Sequence, residues 1–110
     1  MSQTDRQKLQ RYLDQPLAEL EEQLILYAPV ERGSADVWGK IVKPVRQRLC
    51  HEWRWCDVRQ DARFENDLDL AAAVFVTLSS RALRLPIDVD LFLISVIVVK
   101  RGLDRFCACS

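Results

Sequence analysis

The sequence predicts an all-α fold: a single-domain bundle of about four helices over residues 1–110, with the last helix the most buried. Three observations point there. Gly is scarce at 3 and Pro modest at 4, leaving little of the turn chemistry that many short strands require. Apolar residues recur at steps of 3 or 4 through most of the chain. The hydrophobic fraction of 49% and charged fraction of 29% are those of an ordinary globular protein, not a disordered one.

The first predicted segment is Thr4–Ala28. Leu13, Leu17, Leu20, Leu24 and Tyr27 share one face, and Glu19, Glu21, Glu22 and Gln23 fall mainly off it. Pro16 either kinks this helix or starts a new one with Asp14 as cap. Pro29 stops it, and Gly33 and Ser34 make a joint. The second segment runs from Ala35 to Cys56, with Ser34 or Asp36 as cap and a stripe of Trp38, Ile41, Val42, Val45, Leu49, Trp53 and Cys56. Pro44 either kinks it or divides a leading turn from the main helix.

The third segment is Asn66–Leu85. Asn66 caps it, and Asp67 and Asp69 place negative charge at its positive end. Leu68, Ala71, Ala72, Phe75, Leu78, Ala82 and Leu83 make its buried face. Pro86 forces a boundary. Asp88 then caps the fourth segment, whose "LFLISVIVV" is apolar all round. Its β-branched residues also suit a buried strand. The caps before it, with Lys100 and Arg101 at its negative end, favour a helix over 89–101. Gly102 either ends it or lies inside a helix that continues through Leu103 and Phe106.

Net charge is zero, from 16 basic and 16 acidic side chains, but unevenly spread. Residues 1–39 carry 4 basic and 7 acidic groups, residues 40–63 carry 7 and 3, and residues 64–110 carry 5 and 6. The middle segment offers Lys40, Lys43, Arg46, Arg48, Arg54, Arg59 and Arg63, with Trp53 or Trp55 for stacking on a single strand. A weak nucleic-acid-binding module is therefore an alternative reading, disfavoured by the neutral total. The N-terminus has no apolar signal core, and the apolar run Leu91–Val99 is half the length of a membrane span. The expectation is an intracellular, cytoplasmic protein with reduced cysteines and no membrane partner.

The stretch "LCHEWRWCD" (Leu49–Asp57) concentrates Cys50, His51, Cys56, Trp53 and Trp55, and the chain closes on Cys107 and Cys109. Cysteine and histidine are zinc ligands, but the spacing is poor. Six residues along one helix rotate by about 600°, so Cys50 and Cys56 would point about 120° apart. Cys107 and Cys109, one residue apart, chelate badly in a helix. The expectation is buried or incidental thiols, with no metal and no cofactor. A metal- or redox-responsive regulator using Cys50, Cys56, Cys107 and Cys109 is the rival, with Arg105 a nearby charge able to favour a thiolate.

Catalysis finds little footing. There is one His, no Gly-rich loop around a Ser, and no phosphate loop at Trp38–Lys40; Asp67/Asp69 and Asp88/Asp90 read as helix-start charges. The leading expectation is a small non-catalytic interaction or adaptor domain, self-associating as a homodimer or binding another protein. Its candidate contact residues are Trp55, Arg54, Lys100, Arg101 and Arg105. Spacing assigns Trp53 to the core and turns Trp55 about 200° away, where it needs other cover. Lys100, Arg101 and Arg105 stand beside apolar Leu103 and Phe106.

Overall fold

The computed structural model describes residues 2–27 and 33–109. Among these it contains helices and no strand. Seven are α-helices: α1 (Gln3–Leu13), α2 (Leu17–Leu24), α3 (Ser34–Arg46), α4 (Trp55–Val58), α5 (Asp67–Ser79), α6 (Leu91–Arg101) and α7 (Leu103–Phe106). A 3₁₀ turn (Ile25–Tyr27) extends α2, a π segment (Gln47–Glu52) continues α3, and a second 3₁₀ turn (Ala62–Glu65) leads into α5. The all-α expectation holds. The helices outnumber the four expected because three of the long segments are broken, each for a local reason.

The first break is at Pro16, which occupies the N-cap position of α2 in extended backbone. Asp14, expected to cap α2, instead ends α1. The start of α1 carries a capping box that the apolar periodicity did not reveal: the Ser2 hydroxyl accepts from the Asp5 amide at 3.1 Å, and Asp5 accepts from the Ser2 amide in return. The expected helix end at Ala28 and stop at Pro29 lie outside the described residues. At α3, Gly33 holds the N-cap position and makes no side-chain cap. Asp36 lies in the first turn instead, and the side chain of Ser34 is outside the described residues.

Pro44 sits within α3 instead of dividing it. Beyond it the backbone widens, and the Trp53 amide reaches back five residues to the Arg48 carbonyl at 2.9 Å. The second break comes at Trp53–Arg54, where Arg54 adopts left-handed geometry with φ 60° and ψ 55°.

Helix α5 begins as expected, with the Asn66 side chain accepting from the Leu68 and Asp69 amides. It stops at Ser79, short of the expected Leu85. Ser79 and Ser80 hydroxyls turn back onto the Phe75 and Thr77 carbonyls at 2.8 and 2.9 Å, competing with helical bonding. The Arg48 guanidinium then enters from the π segment. Its Nη1 donates to the carbonyls of Leu78 (3.2 Å) and Arg81 (3.1 Å), and more distantly to Thr77 (3.4 Å); Nη2 donates to Ala82 (3.3 Å). Carbonyls that end a helix have no intrahelical partner, and here a buried cation supplies one. Ala82, expected in the core, is consequently exposed, and Leu83 is half-buried.

The 89–101 segment is helix, not strand. Its cap is Asp90, which accepts from the Phe92 amide at 2.9 Å; Asp88 lies outside the helix. Leu93 through Val98 are six consecutive buried residues. That is possible only because α1, α2, α5 and α7 all pack on α6. Ala71 is fully buried and Ala72 nearly so on the helix that packs most extensively against α6, while Phe75 stacks on Phe92 at 3.9 Å. The third break is Gly102, whose φ of +93° disfavours any side chain. It ends α6, so the most buried helix is not the last one: the short α7 comes after it.

Asp90 also ties α6 to α1, lying 3.0 Å from Lys8 Nζ and accepting from the Tyr12 hydroxyl at 3.0 Å. Burial, then the Asp90 hydrogen bond and charge, push the Tyr12 phenol well above its ordinary value near 10. A raised phenol contributes stability that is complete below the unfolded-state pKa and is lost as pH rises through and above it. Unfolding free energy measured with denaturant should therefore fall between about pH 9 and about pH 11. The fall should be shallower in Tyr12→Phe; an equal slope in both proteins would remove Tyr12 from the explanation.

Candidate functional site

The break at Arg54 decides where the aromatic and sulfur side chains of "LCHEWRWCD" go. On a straight helix Trp53 would be the inward ring. After the left-handed turn it is Trp55 that is buried, at 5% exposure, while Trp53 is half-buried. The assignment made from spacing is thus reversed. Trp55 Nε1 donates to Asp104 Oδ1 at 2.9 Å, and Arg59 pairs with the other carboxylate oxygen at 3.4 Å. Trp53, Trp55 and Phe64 form a cluster with ring centroids 5.4–5.7 Å apart. The cover that Trp55 needed comes from within the chain, and Trp55 is not a surface contact residue.

The same break brings the four cysteines together. Cys50 is bonded to Cys107 and Cys56 to Cys109, with Cα atoms 5.3 and 5.4 Å apart. This corrects the expectation of reduced, incidental thiols. The 120° divergence holds only for a continuous helix, and the helix stops between Cys50 and Cys56. Ala108, between the other two cysteines, also has positive φ, at 54°. Arg54 and Ala108 are the non-glycine residues with positive φ among the described residues, and each lies between the two cysteines of its own segment. His51 is exposed. With every cysteine in a disulfide, no group of three or more His, Cys, Asp or Glu among the described residues is placed to hold a metal.

The other candidate contact residues separate. Arg54 is exposed and pairs with Asp57 at 2.8 Å. Arg101 pairs with Glu21 at 3.0 Å and lies over the Trp38 ring at 4.6 Å. Lys100 and Arg105 are exposed, but Leu103 and Phe106 beside them are core, so no apolar patch accompanies the charges. The basic 40–63 segment does not act as one surface either. Arg48 is buried; Arg46 lies over the Phe106 ring at 5.0 Å and donates to its carbonyl. Arg59 serves Asp104 and Arg63 binds Asp61, whose carboxyl those hydrogen bonds hold below the usual carboxylate range. Lys40 and Lys43 are exposed on α3.

What the structure adds is a cleft of about 490 Å³ between α5 and the aromatic cluster, floored by Trp53, Phe64, Ala72 and Val76 and edged by Arg6 and Arg63. A shallower cleft of about 270 Å³ shares Trp53, Val76 and Thr77 and runs on towards Glu52 and Arg81. Val76 is 51% exposed, unusual for a large apolar side chain. The signal for it was legible: α5 reads "LAAAVFVTL", apolar on more sides than one partner helix can cover. No helix among the described residues is long and apolar enough to cross a membrane.

The two disulfides join only two segments, the one before and within α4 and the tail after α7. Closing a loop with sequence separation 57 stabilises by about 4 kcal/mol through the unfolded chain, and the second loop, interleaved with the first, adds less. Reduction under denaturant titration should lower the unfolding free energy by at least about 4 kcal/mol; an unchanged midpoint would show that the tail is held without its sulfurs.

Compared with family models, with curated proteins and with solved structures, the chain matches none.

Proposed function

We propose that this chain is a small non-catalytic interaction module, and that it docks an acidic, apolar segment of a partner protein in the cleft along α5. The observation that carries this reading is the exposed Val76 between the Trp53–Phe64 rings and a rim of charge. Burying an apolar side chain against two aromatic rings is the strongest contact this surface offers. The rim sets the sign of the partner. The two connected clefts carry Arg6, Arg48, Arg63 and Arg81 against Asp69 and Glu52, and Asp61 on Arg63 adds a third carboxylate: four cations less three carboxylates, or +1. Arg63 and Arg81 are also the most exposed of these, with side chains 76% and 73% accessible, so they meet a partner first.

The chain itself contains a segment of that chemistry. Leu26 is 76% exposed and Tyr27 37%, at the end of a helix bearing exposed Glu19 and Glu22. A second copy could therefore occupy the cleft, and that occupant is separated by experiment. Peptide display against the oxidised protein should enrich an apolar residue flanked by Asp or Glu, with binding lost in Val76→Glu and unchanged in Lys43→Glu on α3. Enrichment of basic peptides, or none, would overturn the reading. In sedimentation, a mass of one chain at high concentration leaves a foreign partner as the occupant. A dimer dispersed by both Val76→Glu and Leu26→Glu makes the chain its own partner.

A further inference from the structure

We infer that the sulfur clasp is a redox switch on one wall of the α5 cleft: reducing both disulfides releases the tail and removes the support on which Trp53 and Phe64 rest. What the switch does to a docked partner rests on reading that cleft as a docking site; the movement of the wall does not.

The route runs through side chains in contact. Trp53 and Phe64 line the cleft. The buried Trp55 packs against both, its ring centroid 5.5 Å from that of Trp53 and 5.4 Å from that of Phe64. Trp55 is in turn fixed by α7, donating from Nε1 to Asp104 Oδ1 at 2.9 Å. Cys56, the next residue along, is bonded to Cys109, and Cys50 is bonded to Cys107. The tail thus holds the wall through a hydrogen bond and two covalent ties.

Without its sulfurs the tail has few other holds. α7 spans only Leu103–Phe106, too short to be helical by itself. It packs on α6 and α4, with Leu103 and Phe106 buried and the Phe106 carbonyl accepting from Arg46 Nε at 3.3 Å. These contacts stand against the conformational entropy of ordering residues 102–109, which the cross-links lower by tethering the tail in advance. The rest of the core does not need the tail, because α1, α2 and α5 pack on α6 directly. Its release is therefore local. Either disulfide alone still tethers the tail, so release requires both bonds to break.

The chemistry balances. The four cysteines are half-buried, so a small thiolate reaches them. The thiolate of a dithiol reductant attacks one sulfur of a disulfide and releases the other as a thiolate, leaving a mixed disulfide. The reductant's second thiol then displaces the remaining cysteine. Each bond takes two electrons and two protons from one dithiol, which leaves as a disulfide, so the two bonds consume two dithiols. An oxidising compartment keeps the clasp closed and a reducing one opens it.

The test compares amide hydrogen exchange and acrylamide quenching of tryptophan in the full chain, oxidised and after excess dithiothreitol, without denaturant. Thiol titration confirms that all four cysteines are free. The expected result on reduction is faster exchange at residues 53–65 and 102–109 and stronger quenching, with α1, α5 and α6 still protected. An oxidised chain carrying Cys50→Ser and Cys107→Ser should keep its tail protected through the remaining bond and lose that protection on reduction. Oxidised Asp104→Ala should loosen residues 53–65 with the tail still tied; an unchanged wall there would overturn the route through Trp55. Protection unaltered by full reduction would overturn the switch, and so would exchange rising alike in α1, α5 and α6, which is global unfolding. Acidic, apolar peptides selected on the oxidised protein should bind the reduced protein roughly tenfold more weakly or worse, because three rings lose their fixed placement. Undiminished binding by the reduced protein would also overturn it. Exchange and quenching need no ligand, so oxidised protein that binds no peptide removes the docking role alone, and the wall's response to reduction still decides the switch.

Discussion

The interaction on which most else depends is the buried Arg48 guanidinium. It reaches from the π segment to four carbonyls at the end of α5 and just beyond. A buried cation costs several kcal/mol unless its donors are met. Here two nitrogens are met by carbonyls that would otherwise be orphaned, so two costs offset each other. Nε makes no hydrogen bond; Glu52 stands 3.5 Å from it and supplies charge without bonding geometry. Glu52 is in turn held by Arg81 at 2.9 Å, so the end of α5, the chain after it and the π segment form one polar knot.

That knot directs the path of the chain beyond the π segment. With Arg48 anchored on α5, the backbone leaves the π segment at Trp53 and must turn sharply to reach α4, which it does through left-handed Arg54. The turn sends Trp55 inward to Asp104 and leaves Trp53 at the edge of α5, where it forms one wall of the cleft. The same turn sets Cys56 beside the tail that Cys50 already faces. Cleft and sulfur clasp are thus two outcomes of one bend. α7, only four residues long, could not persist as a helix alone; Leu103 and Phe106 in the core and the sulfur ties hold it.

Much of the fold was legible because it rests on local rules. Asn66 as a cap, the helix break at Pro16, and the helical nature of the 91–101 run all come from short-range chemistry. The site was legible only in its ingredients. Periodicity assumes one unbroken helix, and nothing in "HEWRW" announces that a non-glycine residue will take positive φ. A single such residue exchanges the roles of Trp53 and Trp55 and turns two diverging cysteines into converging ones. Arg48 was hidden for a related reason. An arginine among seven basic residues reads as surface, and its burial is set by carbonyls about 30 residues away. The end of α5 was overestimated because the apolar pattern continues past the serines that stop it.

Amide hydrogen exchange on Arg48→Lys compared with the natural chain tests this dependence most directly. An ammonium is compact and cannot span four carbonyls as the planar guanidinium does. The expected result is a loss of about 3 kcal/mol in global stability, with exchange rising together at residues 47–54 and 80–85. Unchanged stability, or faster exchange at one of these segments with the other still protected, would contradict the claim that Arg48 binds them into one unit.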